Sequence, residues 1–251
     1  MKKILYSVAL AACCMGTMTS CSDFLDASNK SNVTAKQSFA TKEGLNNLVN
    51  NAYQHLQNVY AAPLFTSCFS AGTDMYADAR NKMNEALNTY ETLTPENTDI
   101  KNLYTYLYSG IRAANSVSYY AQTAQVDDKT KGQLVGEARV LAAYEYYLLV
   151  NNFGGVPIMK DFLTTADTGY PKSSAEDVYA YIISELEDVI GKNVLQASTA
   201  TKGGGRISQE TAKAILAKTY LSAAWDLNKQ EYFSKAAALA DEVLYIYRRG
   251  A

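Results

Sequence analysis

The sequence holds only one histidine, His55, and one tryptophan, Trp225, among its 251 residues. Metal sites built on imidazole need several histidines, and a catalytic triad needs one beside a nucleophile and a carboxylate. We therefore expect neither kind of site, and we predict no metal and no cofactor. A basic excess is also lacking, since the formal net charge is −2 and Lys and Arg are scattered. Nucleic acid is therefore not an expected partner.

Cysteine is scarce in the part of the chain that we expect to be mature. Cys13 and Cys14 lie in an N-terminal segment with a basic start and an apolar run, which is typical of a cleaved secretory signal. The sequence Thr19-Ser20-Cys21 resembles the lipobox of bacterial lipoproteins, which would make Cys21 the first mature residue, carrying acyl chains such as palmitate. A plain signal peptide cleaved nearby is the alternative.

Cys68 is then the only cysteine left, so no intrachain disulfide can form. Cys68 and His55 could act together as nucleophile and base. No third group that would orient the histidine is evident in the sequence. We therefore favour a packed, inert thiol.

Strand patterns are missing as well, because no long stretch alternates apolar and polar residues. Apolar residues instead recur at helical spacing in about six segments. Ser174 with Asp177 has the form of a capping box, and Thr41 and Ser208 are further N-cap candidates. The predicted helices begin after Thr41, near Ile100, near Asp128, after Ser174, after Ser208 and near Tyr232.

These helices resemble a repeat stack. Leu216-Ala217 with Tyr220 is similar to part of the first helix of a tetratricopeptide repeat, and Ala236 and Ala240 match small positions of its second helix. The pattern predicts an all-α, tetratricopeptide-like scaffold with long irregular loops, including residues 61–97. A generic helical bundle is the alternative. Most tyrosines fall on apolar helix faces, and for Trp225 we favour the core.

The most apolar stretch, residues 140–150, lies within GEARVLAAYEYYLLVNNFGGVP. It has roughly a dozen apolar residues, whereas a bilayer span needs about 20. A helix that is apolar all round suits the interior of a stack. We expect Glu137 and Arg139 to tie its first turns to neighbouring helices. Gly154, Gly155 and Pro157 are typical of a helix C-terminus. A phosphate-binding loop is not expected here, because the Gly-Lys-Ser/Thr ending of such loops is missing.

Several short motifs along the chain resemble one family. The most specific group joins Gly136-Glu-Ala-Arg139 and Ala143-Tyr144 to Phe153-Gly-Gly-Val-Pro157. The other motifs are Cys21-Ser-Asp-Phe-Leu-Asp26, Leu107-Tyr-Ser-Gly-Ile-Arg-Ala-Ala-Asn115, Pro171-Lys-Ser-Ser174 with Val178-Tyr179, and Arg206-Ile207. In combination they resemble the N-terminal part of the SusD/RagB family of outer-membrane nutrient-binding lipoproteins.

The resemblance implies a non-enzymatic protein, lipid-anchored in the outer membrane and facing the cell exterior. It implies capture of oligosaccharides, or in some members peptides, for a SusC-type TonB-dependent transporter. Residues 1–20 would be the lipoprotein signal, 21–40 a lipidated tether and 41–251 the N-terminal helical domain. Because family members continue further, the resemblance also predicts that this chain is a fragment, a frameshifted product or a degenerate gene.

One loop carries the side chains that sugar recognition needs. Aromatic faces pack against sugar rings, and carboxylate, amide and guanidinium groups bond to hydroxyls. We expect a ligand site in this loop, the alternative being that its tyrosines only pin it to the scaffold. A helical-repeat scaffold that binds peptides or only its transporter is the second functional hypothesis, and an extracytoplasmic hydrolase the third. The candidate ligand residues are Asp74, Tyr76, Asp78, Arg80, Asn81 and Tyr90.

Overall fold

The computed structural model of the chain describes residues 34–61, 64–76, 85–165, 169–198 and 205–250. Within these ranges the regular structure is helical, apart from one isolated β-bridge between Thr73 and Tyr76. The prediction of an all-α fold is therefore confirmed. The nine helices of the described ranges are α1 (Ala35–Ser38), α2 (Lys42–Tyr60), α3 (Leu64–Phe69), α4 (Glu85–Thr89), α5 (Thr98–Ala121), α6 (Asp128–Phe153), α7 (Ala175–Lys192), α8 (Gln209–Asp226) and α9 (Glu231–Gly250).

The chain divides into two compact units after Gln37. Of the first unit, only residues 34–37 are described, and they hold most of α1. The second unit, from Ser38 onward, contains all the other helices. The predicted signal segment and Cys21 lie outside the described residues.

The long helices pack in chain order, α2 against α5, α5 against α6, and so on to α9. Helix α6 also contacts α2 and α8, so it lies at the centre of the stack. This position explains why residues 140–150 are apolar on nearly every side: Val140, Leu141 and Leu149 are all buried. None of the described helices combines the length and the apolar content needed to cross a bilayer.

Helix boundaries follow local chemistry. The hydroxyl of Thr41 accepts from the backbone N–H of Gly44 at 3.1 Å, and Ser208 likewise caps α8. Ser174 and Asp177 form the predicted capping box of α7. Such side chains satisfy backbone donors that lack a partner within the helix. The predicted caps are confirmed.

The connection between α2 and α5 is more ordered than expected. The prediction of an irregular segment over residues 61–97 is wrong for α3 and α4. Both are single short helices, which are marginal on their own and need tertiary contacts. Leu64 of α3 and Leu87 of α4 are buried, and α3 packs against α5. Tertiary burial, rather than periodicity, stabilises these two segments.

Trp225 is not in the core, contrary to expectation. Its side chain is 73% exposed at the end of α8 and meets the ring of Phe233 edge-on, with the ring centroids 5.2 Å apart. Leu221 and Leu244 nearby are also about half exposed, at 46% and 52%. They border an apolar groove between α8 and α9. The periodicity of α8 does not distinguish its buried side from this open one.

Candidate functional site

Glu137 of α6 is a fully buried junction between distant segments. Its carboxylate accepts from the hydroxyl of Tyr53 in α2 and from the amide of Gln133, both at 3.1 Å. The guanidinium Nε of Arg206 lies 3.2 Å from the same carboxylate. Burial raises the pKa of Glu137, and these three partners oppose that shift by favouring the charged form. The tyrosine hydroxyl also accepts from the backbone N–H of Ile207, so the junction joins α2, α6 and the entry to α8.

Arg139 makes a separate contact on another side of α6. Its Nε lies 2.7 Å from Glu185 and its second donor lies 2.6 Å from Asp188, both in α7. Lys192 bonds to the same aspartate from one turn further on. Glu137 and Arg139 therefore bind different neighbours and not each other. Both side chains thus connect α6 to other segments of the stack, as predicted.

The Gly-Gly-Val-Pro segment ends α6 and turns the chain sharply. Gly154 has φ of 68°, a value that favours glycine, and its N–H closes the helix on Val150. A Cβ at Gly155 would lie 2.2 Å from the carbonyl oxygen of Ser173, so only glycine allows this approach. The carbonyl of Pro157 accepts from the hydroxyl of Tyr108 in α5 at 2.7 Å. The segment thus attaches the following loop to α5.

The predicted ligand loop presents two exposed tyrosines and a carboxylate. Asp74 is exposed, while Tyr76 and Tyr90 are 41% and 57% exposed. Tyr90 has a positive φ of 63° and its hydroxyl lies 3.5 Å from the carbonyl of Gly72. It therefore contacts the turn that carries Asp74 while most of its ring remains open to solvent. Asp78, Arg80 and Asn81 lie outside the described residues.

Cys68 and His55 do not form a hydrogen-bonded pair in the described part of the chain. Burial raises the pKa of the Cys68 thiol to about 11, which keeps it protonated and weakly nucleophilic. Nδ1 of His55 is buried and has no hydrogen-bond partner among the described residues. Burial also lowers the pKa of His55, so its imidazole is neutral near pH 7. These features agree with a packed thiol.

A second candidate surface lies where the loop after α6 meets α5. Asn115 of α5 donates to the carbonyl of Met159 at 2.8 Å, and the hydroxyl of Tyr146 accepts from the Met159 N–H at 2.6 Å. These bonds fix the loop so that the ring of Phe162 lies beneath Arg112, with 5.5 Å from guanidinium carbon to ring centroid. We call the two cavities that share Arg112 the Arg112 groove.

The groove combines aromatic rings with hydrogen-bonding groups. Its first cavity, of about 300 Å³, is lined by Arg112, Asn115, Asp161, Thr164 and Thr165 among others. Its second cavity, of about 360 Å³, is lined by Arg112, Phe162, Tyr120, His55, Asn51 and Ser109 among others. Both volumes are in the range of small-ligand pockets.

Sequence reasoning did not identify the Arg112 groove. Arg112 belongs to the Leu107–Asn115 motif. A charged residue between two apolar neighbours was the feature of the sequence that could have pointed to a binding role for Arg112. Its aromatic partner, Phe162, lies 50 positions later in the chain. Only the loop after Pro157 brings the two together, and that path is not visible in the periodicity of either segment.

The chain is similar to proteins of known families and structures. Residues 23–221 match the SusD-like family described as "Starch-binding associating with outer membrane". A SusD-like protein of Bacteroides ovatus is 28% identical over 134 residues, which is 52% of this chain and 24% of that protein.

Among solved structures, a SusD homolog from Bacteroides thetaiotaomicron is 21% identical, with a TM-score of 0.70 over 86% of this chain and 43% of its own. Surface glycan-binding protein A from Bacteroides uniformis is 25% identical, with a TM-score of 0.64 over 80% of this chain and 46% of its own. The chain thus spans less than half the length of each of these relatives. Because the family match covers most of the chain and the helical stack agrees, the chain belongs to the SusD-like family.

Proposed function

We propose that this chain binds oligosaccharides at the cell surface and serves nutrient uptake without chemically altering its ligand. The family description, starch-binding at the outer membrane, supports this proposal. The printed name of the Bacteroides uniformis relative, a surface glycan-binding protein, supports the same ligand class.

The observation that carries the proposal is the exposure of Tyr76, Tyr90 and Asp74 within one loop region. Exposed aromatic faces lose little conformational freedom when a ligand packs on them, because a tyrosine has only two rotatable side-chain bonds. The carboxylate of Asp74 can accept hydrogen bonds from sugar hydroxyls. Asp78, Arg80 and Asn81 belong to the proposed site by their sequence positions between the two tyrosines.

We further propose that the bound glycan is passed to a SusC-type TonB-dependent transporter. Lipidation at Cys21 would hold the protein at the outer membrane, facing the exterior, which places the ligand site beside the transporter. The support is the lipobox-like Thr19-Ser20-Cys21 and the outer-membrane association of the family. More than one acyl chain gives firm membrane attachment, whereas one gives only marginal binding.

Titration calorimetry against a panel of neutral oligosaccharides tests the proposed ligand class. For a glycan that the chain binds, Tyr76→Ala and Tyr90→Ala should each weaken the affinity about tenfold, corresponding to about 1.4 kcal/mol. Tyr106→Ala is the matched control, because Tyr106 is a similarly exposed tyrosine of α5 outside the loop. Its affinity should equal that of the unmodified chain.

Three outcomes would contradict the proposal at different levels. Unchanged affinity in both loop variants would remove the loop from the ligand site while leaving glycan binding intact. Binding of no glycan by a folded chain would favour the second hypothesis, a scaffold that binds peptides or only its transporter. New reducing ends after incubation with a glycan would show hydrolysis instead of simple binding.

A further inference from the structure

Arg112 differs from Arg139 and Arg206 of the helical stack in having no acidic partner among the described residues. Arg139 is bonded to two carboxylates of α7, and Arg206 is bonded to the buried carboxylate of Glu137. No carboxylate lies within ion-pair distance of Arg112 in the described ranges. The contact that the structure gives its guanidinium is the ring of Phe162.

This arrangement leaves the donors of Arg112 available to a ligand. A guanidinium over an aromatic face is held by the ring while its edge N–H groups still point outward. Arg112 is an exposed residue, and it lines both cavities of the groove. Such a planar set of donors matches the oxygens of a carboxylate or a sulfate, and charge-assisted bonds of this kind are about twice as strong as neutral ones.

The second cavity of the groove favours an anion over a cation. Among the residues that line it, Arg112 is the charged group, and no aspartate or glutamate is present. His55 is held neutral by burial, while Asn51 and Ser109 supply uncharged hydrogen-bonding groups. An anion would therefore meet one positive charge and no negative charge.

Aromatic side chains form the remaining wall of the groove. The ring of Phe162 lies 5.4 Å from that of Tyr119 and 5.9 Å from that of Tyr120, between centroids. Tyr119 is 43% exposed, so part of this cluster is open to solvent. Flat aromatic surface beside hydroxyl-binding groups suits a sugar ring more than a bare inorganic anion.

We propose that the Arg112 groove binds an anionic sugar residue, one carrying a carboxylate or a sulfate, within a longer oligosaccharide. The anionic group bonds to Arg112 in the second cavity, and its ring packs against Tyr120 and Phe162. The neighbouring sugar lies in the first cavity, where Asn115, Asp161 and Thr164 offer partners for neutral hydroxyls. This inference rests on the proposed glycan-binding function and adds a second site and a charge preference to it.

The test compares anionic oligosaccharides with neutral ones of the same linkage, by titration calorimetry on the whole chain. One pair is trigalacturonate and its neutral galactose counterpart; the other is a sulfated galactose disaccharide and its unsulfated form. At least one anionic member should bind more tightly than its neutral partner, and added salt should weaken only the anionic binding. Binding of only one of the two identifies the anionic group.

Substitutions at Arg112 separate this site from general charge effects. Arg112→Gln should lower the affinity for the anionic ligand about 10- to 100-fold, and Arg112→Lys should lower it less, because lysine keeps the charge but not the planar fork. Lys101→Gln is the matched control, since Lys101 is an exposed cation on the same helix. It should leave the affinity unchanged.

Three other outcomes would contradict the charge preference, the site or the glycan-binding function. If neutral glycans bind while anionic ones bind no more tightly, the charge preference is wrong and the glycan-binding function stands. If Arg112→Gln binds the anionic ligand as the unmodified chain does, the site is wrong. If the folded chain binds no member of either pair and no neutral glycan, both the inference and the proposed function are wrong.

Discussion

The carboxyl group of Glu145 in α6 occupies the space that a side chain at Gly110 in α5 would need. A Cβ atom at Gly110 would lie 1.7 Å from Oε1 of Glu145. Glu145 is fully buried, and neither of its carboxyl oxygens has a hydrogen-bond partner among the described residues. Burial alone raises its pKa well above the usual range. The close approach of α5 and α6 thus depends on a missing side chain on one helix and favours a neutral acid on the other.

Gly110→Ala should destabilise the chain by about 1–3 kcal/mol, the usual cost of overpacking a tight interface. A loss of stability would be informative, because replacing glycine by alanine within a helix otherwise stabilises it by about 1 kcal/mol. Urea denaturation followed by circular dichroism measures the change. Gly191→Ala in α7 is the control, since an added Cβ there meets nothing within 4 Å.

The same substitution tests the contact itself when Glu145 is shortened. In a Glu145→Ala background, Gly110→Ala should become neutral or stabilising, because the opposing carboxyl group is gone. The difference between the two backgrounds is the coupling energy of the pair. An equal effect in both backgrounds would show that the glycine is needed for another reason.

The stability of the chain should depend on pH through Glu145. Its folded pKa is raised above the unfolded value of about 4.3, so the folded chain holds the extra proton above that pH. Glu145 makes its full contribution to the free energy of unfolding below about pH 4.3. As the pH rises from there towards the folded pKa, that contribution falls by up to about 1.4 kcal/mol per pH unit. Glu145→Gln should therefore match the unmodified chain near pH 4 and exceed it at pH 8.

Denaturation midpoints at several pH values would measure this difference. Glu91→Gln serves as the control, because Glu91 is an exposed carboxylate. Its substitution should leave the pH profile of stability unchanged. Parallel profiles for Glu145→Gln and the unmodified chain would mean that Glu145 does not hold its proton in the folded state.

Glu137 and Arg139 should differ in their contribution to stability, although they are two residues apart. Glu137→Gln keeps the shape of a buried side chain but removes the charge facing Arg206, and we expect a loss of about 1.5–3 kcal/mol. Arg139→Gln breaks ion pairs with partly exposed partners, and we expect about 1 kcal/mol or less.

Urea denaturation of the two variants compares these losses directly. Oligosaccharide affinity should stay unchanged in both, since neither side chain lies in the loop or the Arg112 groove. Equal losses of stability would contradict the difference expected from burial. A loss of ligand affinity in a folded variant would place the motif in the binding site.

Membrane attachment should depend on Cys21. Cys21→Ala should move the protein from the outer-membrane fraction to a form that is not membrane-attached, because the acyl chains would have no attachment point. Fractionation with immunoblotting measures this change. Cys68→Ala is the control and should remain in the membrane fraction. Retention of Cys21→Ala would contradict the proposed lipid anchor.

Local chemistry made part of this fold predictable. The caps at Thr41, Ser174 and Ser208 act within one turn, so the sequence beside each helix is sufficient to locate it. The ends of α6 are also local, an aspartate N-cap and a glycine with positive φ. Helices α3 and α4 could not be predicted in this way, because they are too short to show a period.

The sequence predicted that α6 would be buried, but it did not predict which residues α6 would contact. An apolar helix such as α6 had to be surrounded, yet nothing local shows that Glu137 meets Tyr53 and Arg206 or that Glu145 faces Gly110. The exposure of Trp225 was missed for the same reason. Residues Asp78, Arg80 and Asn81 of the ligand loop remain predictions.

The sequence alone determined the helical class, the positions of the long helices and the family resemblance, since these depend on spacing and short motifs. Only the tertiary structure decided that Arg112 has an aromatic ring beside it and, among the described residues, no carboxylate within ion-pair distance. That juxtaposition depends on the hydrogen bonds that Tyr108 and Asn115 donate to the loop after α6 and the one that Tyr146 accepts from it. Contacts between residues about 50 positions apart are set by how whole helices pack, and no local pattern encodes them.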